Sequence, residues 1–251
     1  MNFRSIRTIT YLGGFLLITT PKRMQLRKLA ETDPKAAARI SQEYVKGAMQ
    51  HIFKITGSTI EIEGLEHIPT EETVLFAGNH RSFFDLVVTE SVIPTEQCPG
   101  YVAKKSLFSI PGLRGWMELI RCLSLDRSNM KDGLKTIFKG ADYLKEGSNM
   151  FIFPEGTRSK NGQLLEFKGA SLKMAQKAKV AVVPVAITGT SAIFEDNKAF
   201  SIKPSHVTIT FAEPFYIHKL PRPEQKGAVV TVRQTIADIL DSKKGIEESA
   251  S

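Results

Sequence analysis

The spacing of apolar positions changes character near Ser58. Residues 8–21, TITYLGGFLLITTP, carry no charge. Asp33-Pro34 then offers an N-cap followed by proline at the first helical position. Beyond it Ile40, Tyr44, Ala48 and Ile52 recur every fourth residue, widened by Val45, Met49 and Phe53. That spacing predicts a helix to about Ile55, pairing with residues 3–19 as a two-helix hairpin. From Ser58 the period falls to two. STIEIEG alternates as a strand does, and TVLFAGN (73–79) is continuously apolar, as expected of a strand covered on both faces. Further strands are predicted at 100–105, 120–126, 149–154, 180–187 and 206–211, the last alternating more and so nearer an edge. Helices are predicted at 83–93, 130–146, 168–179 and 223–242.

Strands alternating with helices imply an α/β fold, a mostly parallel central sheet of about seven strands flanked by helices. The two-helix segment precedes it and is read as membrane-associating. The expected organisation is 1–56 helical hairpin, 57–242 α/β domain and 243–251 frayed tail. No internal repeat or interdomain linker interrupts the chain.

Charge sharpens the N-terminal reading. The net charge is +8, yet residues 1–54 hold ten Lys/Arg against three acids, leaving the main body nearly neutral. A local basic segment points to an anionic surface. Residues 8–21 as a helix reach about 21 Å, short of the ~30 Å hydrocarbon core, and PKRMQLRK follows without a cleavage pattern. An interfacial basic helix fits better than a span or a signal peptide. The neutral body and the lack of interleaved aromatics argue against nucleic acid. Two cysteines, Cys98 and Cys122, make neither a disulfide framework nor a metal site and fit a reducing compartment.

The chemistry gathers where strands end, which is where open α/β sheets bind ligands. NHRSFFD (79–85) follows the buried strand 73–79, so His80 falls in a strand-to-helix turn and Asp85 in the first helical turn. On one continuous helix the two would point about 140° apart; the turn lets the carboxylate reach the imidazole. Asp85 then fixes the tautomer and His80 takes a proton from a hydroxyl. Ser82-x-x-Asp85 has equally the form of a capping box. FPEGTRS (153–159) ends another strand, with Gly156 allowing main-chain N–H groups to face an anion and Arg158 offering a fork suited to phosphate. Lys104, Lys105 and Arg127 end two more strands. There is no G-x-S-x-G elbow, which argues against a serine hydrolase.

NHRSFFD, KKSLFSIP, LSLDR, FPEGTRS and VVPVAI stand in the order and roughly the spacing seen in glycerolipid acyltransferases. The chain resembles the bacterial 1-acyl-sn-glycerol-3-phosphate acyltransferases over about residues 58–220. One departure is IPGLRGW, where Arg114 stands at a position often held by glycine. The resemblance implies acyl transfer from an acyl-CoA or acyl-ACP (acyl carrier protein) thioester to the sn-2 hydroxyl of 1-acyl-glycerol-3-phosphate (lysophosphatidic acid), giving phosphatidic acid in phospholipid biosynthesis. His80 would be the general base and Asp85 its orienting partner. Lys105, Arg127, Glu155, Gly156, Thr157 and Arg158 would bind substrate, with no metal and no cofactor. The resemblance also implies anionic lipids as a partner and a peripheral or monotopic place on the cytoplasmic face of the membrane. Rival readings are a different acceptor, glycerol-3-phosphate or another lysophospholipid, and a non-enzymatic lipid-binding module.

Overall fold

The computed structural model describes residues 1–126, 130–198 and 200–249. Three helices open the chain, α1 (Phe3–Ile18), α2 (Thr20–Thr32) and α3 (Pro34–Thr56). The sequence predicted two. The apolar run ends where Thr19 caps α1 and Pro21 opens α2, and both pack against α3. α3 starts as expected, the Asp33 carboxylate accepting from the Ala36 N–H (2.9 Å). Its stripe buries Val45, Ala48 and Ile52 against α4 (Phe84–Val92), so it is shared between the N-terminal helices and the sheet domain.

All seven predicted strands form: β1 (Thr59–Glu63), β2 (Val74–Gly78), β3 (Gly100–Lys104), β4 (Leu123–Leu125), β5 (Met150–Ile152), β6 (Ala181–Thr188) and β7 (His206–Phe211). They lie side by side in the order β1-β7-β6-β2-β5-β3-β4. Every pairing is parallel except β6 with β7. β7 is thus one place in from an edge, and the alternating β1 takes the edge itself. β2 is wholly buried, as is β6 up to its last residue, as their unbroken apolar runs require. Phe76, Phe151 and Val183 fill one face of the sheet, and Leu75, Met150 and Val182 the other.

The remaining helices are α5 (Leu113–Leu119), α6 (Met130–Lys145), α7 (Lys173–Ala178), α8 (Thr190–Ile193) and α9 (Ala228–Ser249). α5 and α8 were not predicted. α9 carries on through 243–249, which the sequence assigned to a frayed tail, and Lys243 there pairs with Glu63, the last residue of β1.

Candidate active site

β2 ends at Gly78, and the Asn79 side chain bolts its end to β6. Asn79 Nδ2 donates to the Ile187 carbonyl (2.9 Å) and Ile187 N–H to Oδ1 (2.8 Å). The chain then turns through His80–Phe83 into α4. Asp85, fully buried, sits in the first turn of that helix. Its Oδ2 accepts from His80 Nδ1 (2.8 Å), Arg81 N–H (2.7 Å) and Ser82 N–H (2.8 Å). Its Oδ1 accepts from the Thr190 hydroxyl at 2.5 Å. Capping and orienting, which looked like alternatives in the sequence, are thus done by one carboxylate. Four donors replace the water that a buried carboxylate has lost.

With Nδ1–H directed at Asp85, Nε2 of His80 carries the lone pair. Among the described residues nothing hydrogen-bonds Nε2. The imidazole lies nearly flat on Phe153, ring centres 4.0 Å apart, and keeps 19% of its side chain exposed. It is a fixed imidazole with an open face. No described serine, threonine or cysteine hydrogen-bonds the ring.

β5 neighbours β2, which brings FPEGTRS alongside. Glu155 is buried, its two oxygens accepting from His80 N–H (2.6 Å) and Leu165 N–H (2.9 Å). Burial raises its carboxyl above the ordinary range, against the lowering by these two bonds. Ser159 N–H closes the turn from the other side on the His80 carbonyl (2.8 Å). Glu155 therefore shapes the main chain of the histidine turn. Gly156 takes a positive φ of 70°, but its N–H donates to the Phe153 carbonyl (3.0 Å). The tight turn thus takes up the glycine's own N–H. What the missing side chain admits instead is Lys168, whose Nζ would lie 2.8 Å from a Cβ at this position.

Arg158 lies over the Phe83 ring, 3.7 Å from its centre, and Nη1 bonds Glu195 Oε1 at 2.7 Å. Glu195 also accepts from the Ser82 hydroxyl (2.5 Å) and Phe83 N–H (2.9 Å). One carboxylate therefore ties Arg158 to the histidine turn. Thr157 is exposed between these groups. Lys105 stands at the end of β3, two strand spacings or about 10 Å from β2, and pairs with Asp126 at 3.2 Å. Arg127 lies outside the described residues. Sequence reasoning missed Thr190, Glu195, Phe153 and Lys168. Thr190 and Glu195 lie in 189–196, after β6, whose end, like those of β1 and β7, offered no candidate in the sequence.

The sequence model of the family described as Acyltransferase matches residues 59–188, about half of the chain. The chain belongs to that family. It is 32% identical over 159 residues to a chloroplastic 1-acyl-sn-glycerol-3-phosphate acyltransferase of Arabidopsis thaliana, covering 62% of this chain and 44% of that one. A 1-acyl-sn-glycerol-3-phosphate acyltransferase of Borreliella burgdorferi is 28% identical, over 82% of this chain and 81% of its own. The chain spans less than half the length of the Arabidopsis protein. The crystal structure of the 1-acyl-sn-glycerophosphate (LPA) acyltransferase PlsC from Thermotoga maritima superimposes with a TM-score of 0.68 at 25% identity, over 94% of this chain and 98% of that one.

Proposed function

We propose that the chain transfers an acyl group from an acyl thioester to the sn-2 hydroxyl of 1-acyl-glycerol-3-phosphate, releasing a thiol and phosphatidic acid. The observation that carries this is a histidine held by a buried aspartate, with an open Nε2, no nucleophile hydrogen-bonded to it among the described residues, and Arg158 beyond the end of the neighbouring strand. His80 Nε2 takes the hydroxyl proton as the oxygen attacks the thioester carbonyl. Asp85 stabilises the imidazolium that forms. As the tetrahedral intermediate collapses, the C–S bond breaks and the thiolate leaves, taking up the proton. The step needs neither a metal nor a covalent enzyme intermediate. Arg158 and Lys168 bind the acceptor phosphate, with Lys105 and Arg127 as further cations and Thr157 at the entrance. The donor is acyl-CoA or acyl-ACP, whose thioesters are chemically equivalent at this carbonyl.

The same reading puts α1 and α2 on an anionic lipid surface at the cytoplasmic face. Phe3, Ile6, Leu17, Ile18 and Met24 are exposed apolar side chains among basic residues. Among the described residues no helix is long and apolar enough to cross a membrane, which suits a peripheral or monotopic attachment.

The test is a mixed-micelle assay with palmitoyl-CoA or palmitoyl-ACP and 1-oleoyl-glycerol-3-phosphate, reading phosphatidic acid. Wild type should form product and His80→Ala should lose at least about a hundredfold in kcat. Product from both at equal rates would remove His80 as the base. No product from wild type with either donor would sink the assigned reaction.

A further inference from the structure

Away from the histidine turn, a cleft of about 380 Å³ opens between α2 and α5, lined by Arg23, Arg27, Arg114, Phe108 and Ile110. Its floor is built for an arginine. Arg23 Nη1 donates to the Gly112 carbonyl (3.0 Å) and the Leu16 carbonyl (3.4 Å), and Nη2 to Thr20 Oγ1 (3.3 Å). A Cβ on Gly115 would lie 2.7 Å from Arg23 Cδ, and one on Gly112, at φ +81°, 3.2 Å from Nη1. Trp116, stacked on Phe15 and Tyr44, donates to Thr19 Oγ1 at 3.2 Å and locks α5 to the α1–α2 junction.

The charge in this cleft is unbalanced. Arg27 (2.7 Å) and Arg114 (2.6 Å) share the single carboxylate of Glu118, while Arg23 bonds neutral oxygens only. Among the described residues, three guanidiniums against one acid leave an excess of two positive charges, and no acid lines the cleft. Guanidinium forks match phosphate oxygens. A phosphate monoester carries about −1.5 to −2 near pH 7, which fits that excess better than the single charge of a diester. Leu16 packs beside Gly112, and the next two residues, Leu17 and Ile18, are the most exposed large apolar side chains described, at 77% and 81%. Met24 and Ile110 are exposed as well.

We propose that this cleft binds the phosphate-monoester headgroup of a membrane lipid, with the lipid's chains against Leu17, Ile18, Met24 and Ile110. The proposal deepens the membrane-facing reading of α1 and α2 and rests on it.

The experiment is vesicle co-sedimentation of the full chain. Phosphatidylcholine vesicles carry either about 10 mol% phosphatidic acid or about 20 mol% phosphatidylglycerol, matched in surface charge. Wild type should prefer phosphatidic acid about tenfold, and the exposed double variant Arg27→Gln/Arg114→Gln should lose that preference while keeping its unfolding temperature and its binding to phosphatidylglycerol. Arg158→Ala should keep the preference. A preference that vanishes with Arg158 instead would put the phosphate in the active site and overturn the proposal. So would equal wild-type binding to both vesicles, or a preference that survives in the double variant. Glycerol-3-phosphate at about 10 mM should fail to release the protein, because the apolar rim contributes to binding; complete release would assign the cleft to a free phosphate. No wild-type binding to either vesicle would remove the membrane-facing reading itself.

Discussion

Replacing Glu195 by glutamine removes the charge that holds Arg158 yet leaves an amide oxygen at the Oε1 place to accept from Phe83 N–H, with the amide nitrogen at the Oε2 place facing the Ser82 hydroxyl oxygen. The ion pair is 35% exposed on the Arg158 side and 22% on the Glu195 side. A charge-assisted hydrogen bond contributes about 1.5–3 kcal/mol when dry; solvent at this exposure reduces that to about 1 kcal/mol. If Glu195 fixes the guanidinium for the acceptor phosphate, Glu195→Gln raises the KM for 1-acyl-glycerol-3-phosphate about fivefold. kcat should stay within about twofold, because the bonds among His80, Asp85 and Thr190 are untouched. The assay is steady-state phosphatidic acid formation with the acceptor varied at saturating thioester, in wild type, Glu195→Gln, Arg158→Ala and the double variant. The cycle decides the mechanism. A residue acting through Arg158 has little further effect once Arg158 is gone, a coupling of about 1 kcal/mol. Independent, multiplicative effects would refute positioning. A fall in KM would show that Glu195 competes with the phosphate instead of orienting its ligand.

Other perturbations separate further parts of the structure. Thr190→Val deletes one of four donors to buried Asp85 and should cost about 1–3 kcal/mol in stability, read by urea unfolding. It should also lower kcat more than it raises KM. Glu90 is fully buried on α4, and neither oxygen meets a donor in hydrogen-bond geometry. Burial pushes its carboxyl from 4.5 to about 8, although Tyr101 and Lys46 oppose this. A carboxyl raised in the folded state stabilises most below its unfolded value, and that contribution fades as pH climbs from about 4.5 to about 8. Glu90→Gln should therefore gain stability on wild type across that window, by roughly 3 kcal/mol or more at pH 8. Parallel stability curves would show that Glu90 does not titrate there. Gly115→Ala drives a methyl into Arg23 and should lower the unfolding temperature by several degrees, corresponding to about 1–3 kcal/mol; an unchanged melt would mean that Arg23 shifts freely.

The strands were legible because each central one is covered on both faces and so writes a continuous apolar run, as in VLFAG and AVVPVAI. The His80–Asp85 contact was legible because a single turn separates the two residues. α5 was not, since IPGLRGW carries the glycine and proline of a loop. It is a helix because Trp116, Met117 and Leu119 are buried against the N-terminal helices and the sheet. Thr190 and Glu195 reach the histidine turn from 105 and 113 residues away. Nothing local marks them, because a hydroxyl at the start of a one-turn helix and a carboxylate just after it acquire their meaning from the β2–β6 pairing. Arg158 was found by its motif, but the motif did not reveal that a neighbouring carboxylate already holds it.

The pairing of β1 with β7 sets an order of assembly. Thr59 lies opposite His206, 147 residues later in the chain, and the Asn2 side chain that caps α1 also bonds the Ile202 main chain. A ribosome emitting this chain releases α1 and β1 long before the backbone that receives them exists. Closing so long a loop is slow, since its entropy is lost before the contacts repay it. The nascent chain therefore spends most of its synthesis with an unpaired strand edge and an apolar helix in the open. Such a species aggregates unless something covers those surfaces. For a helix proposed to rest on a lipid surface, early release would let the bilayer itself provide that cover.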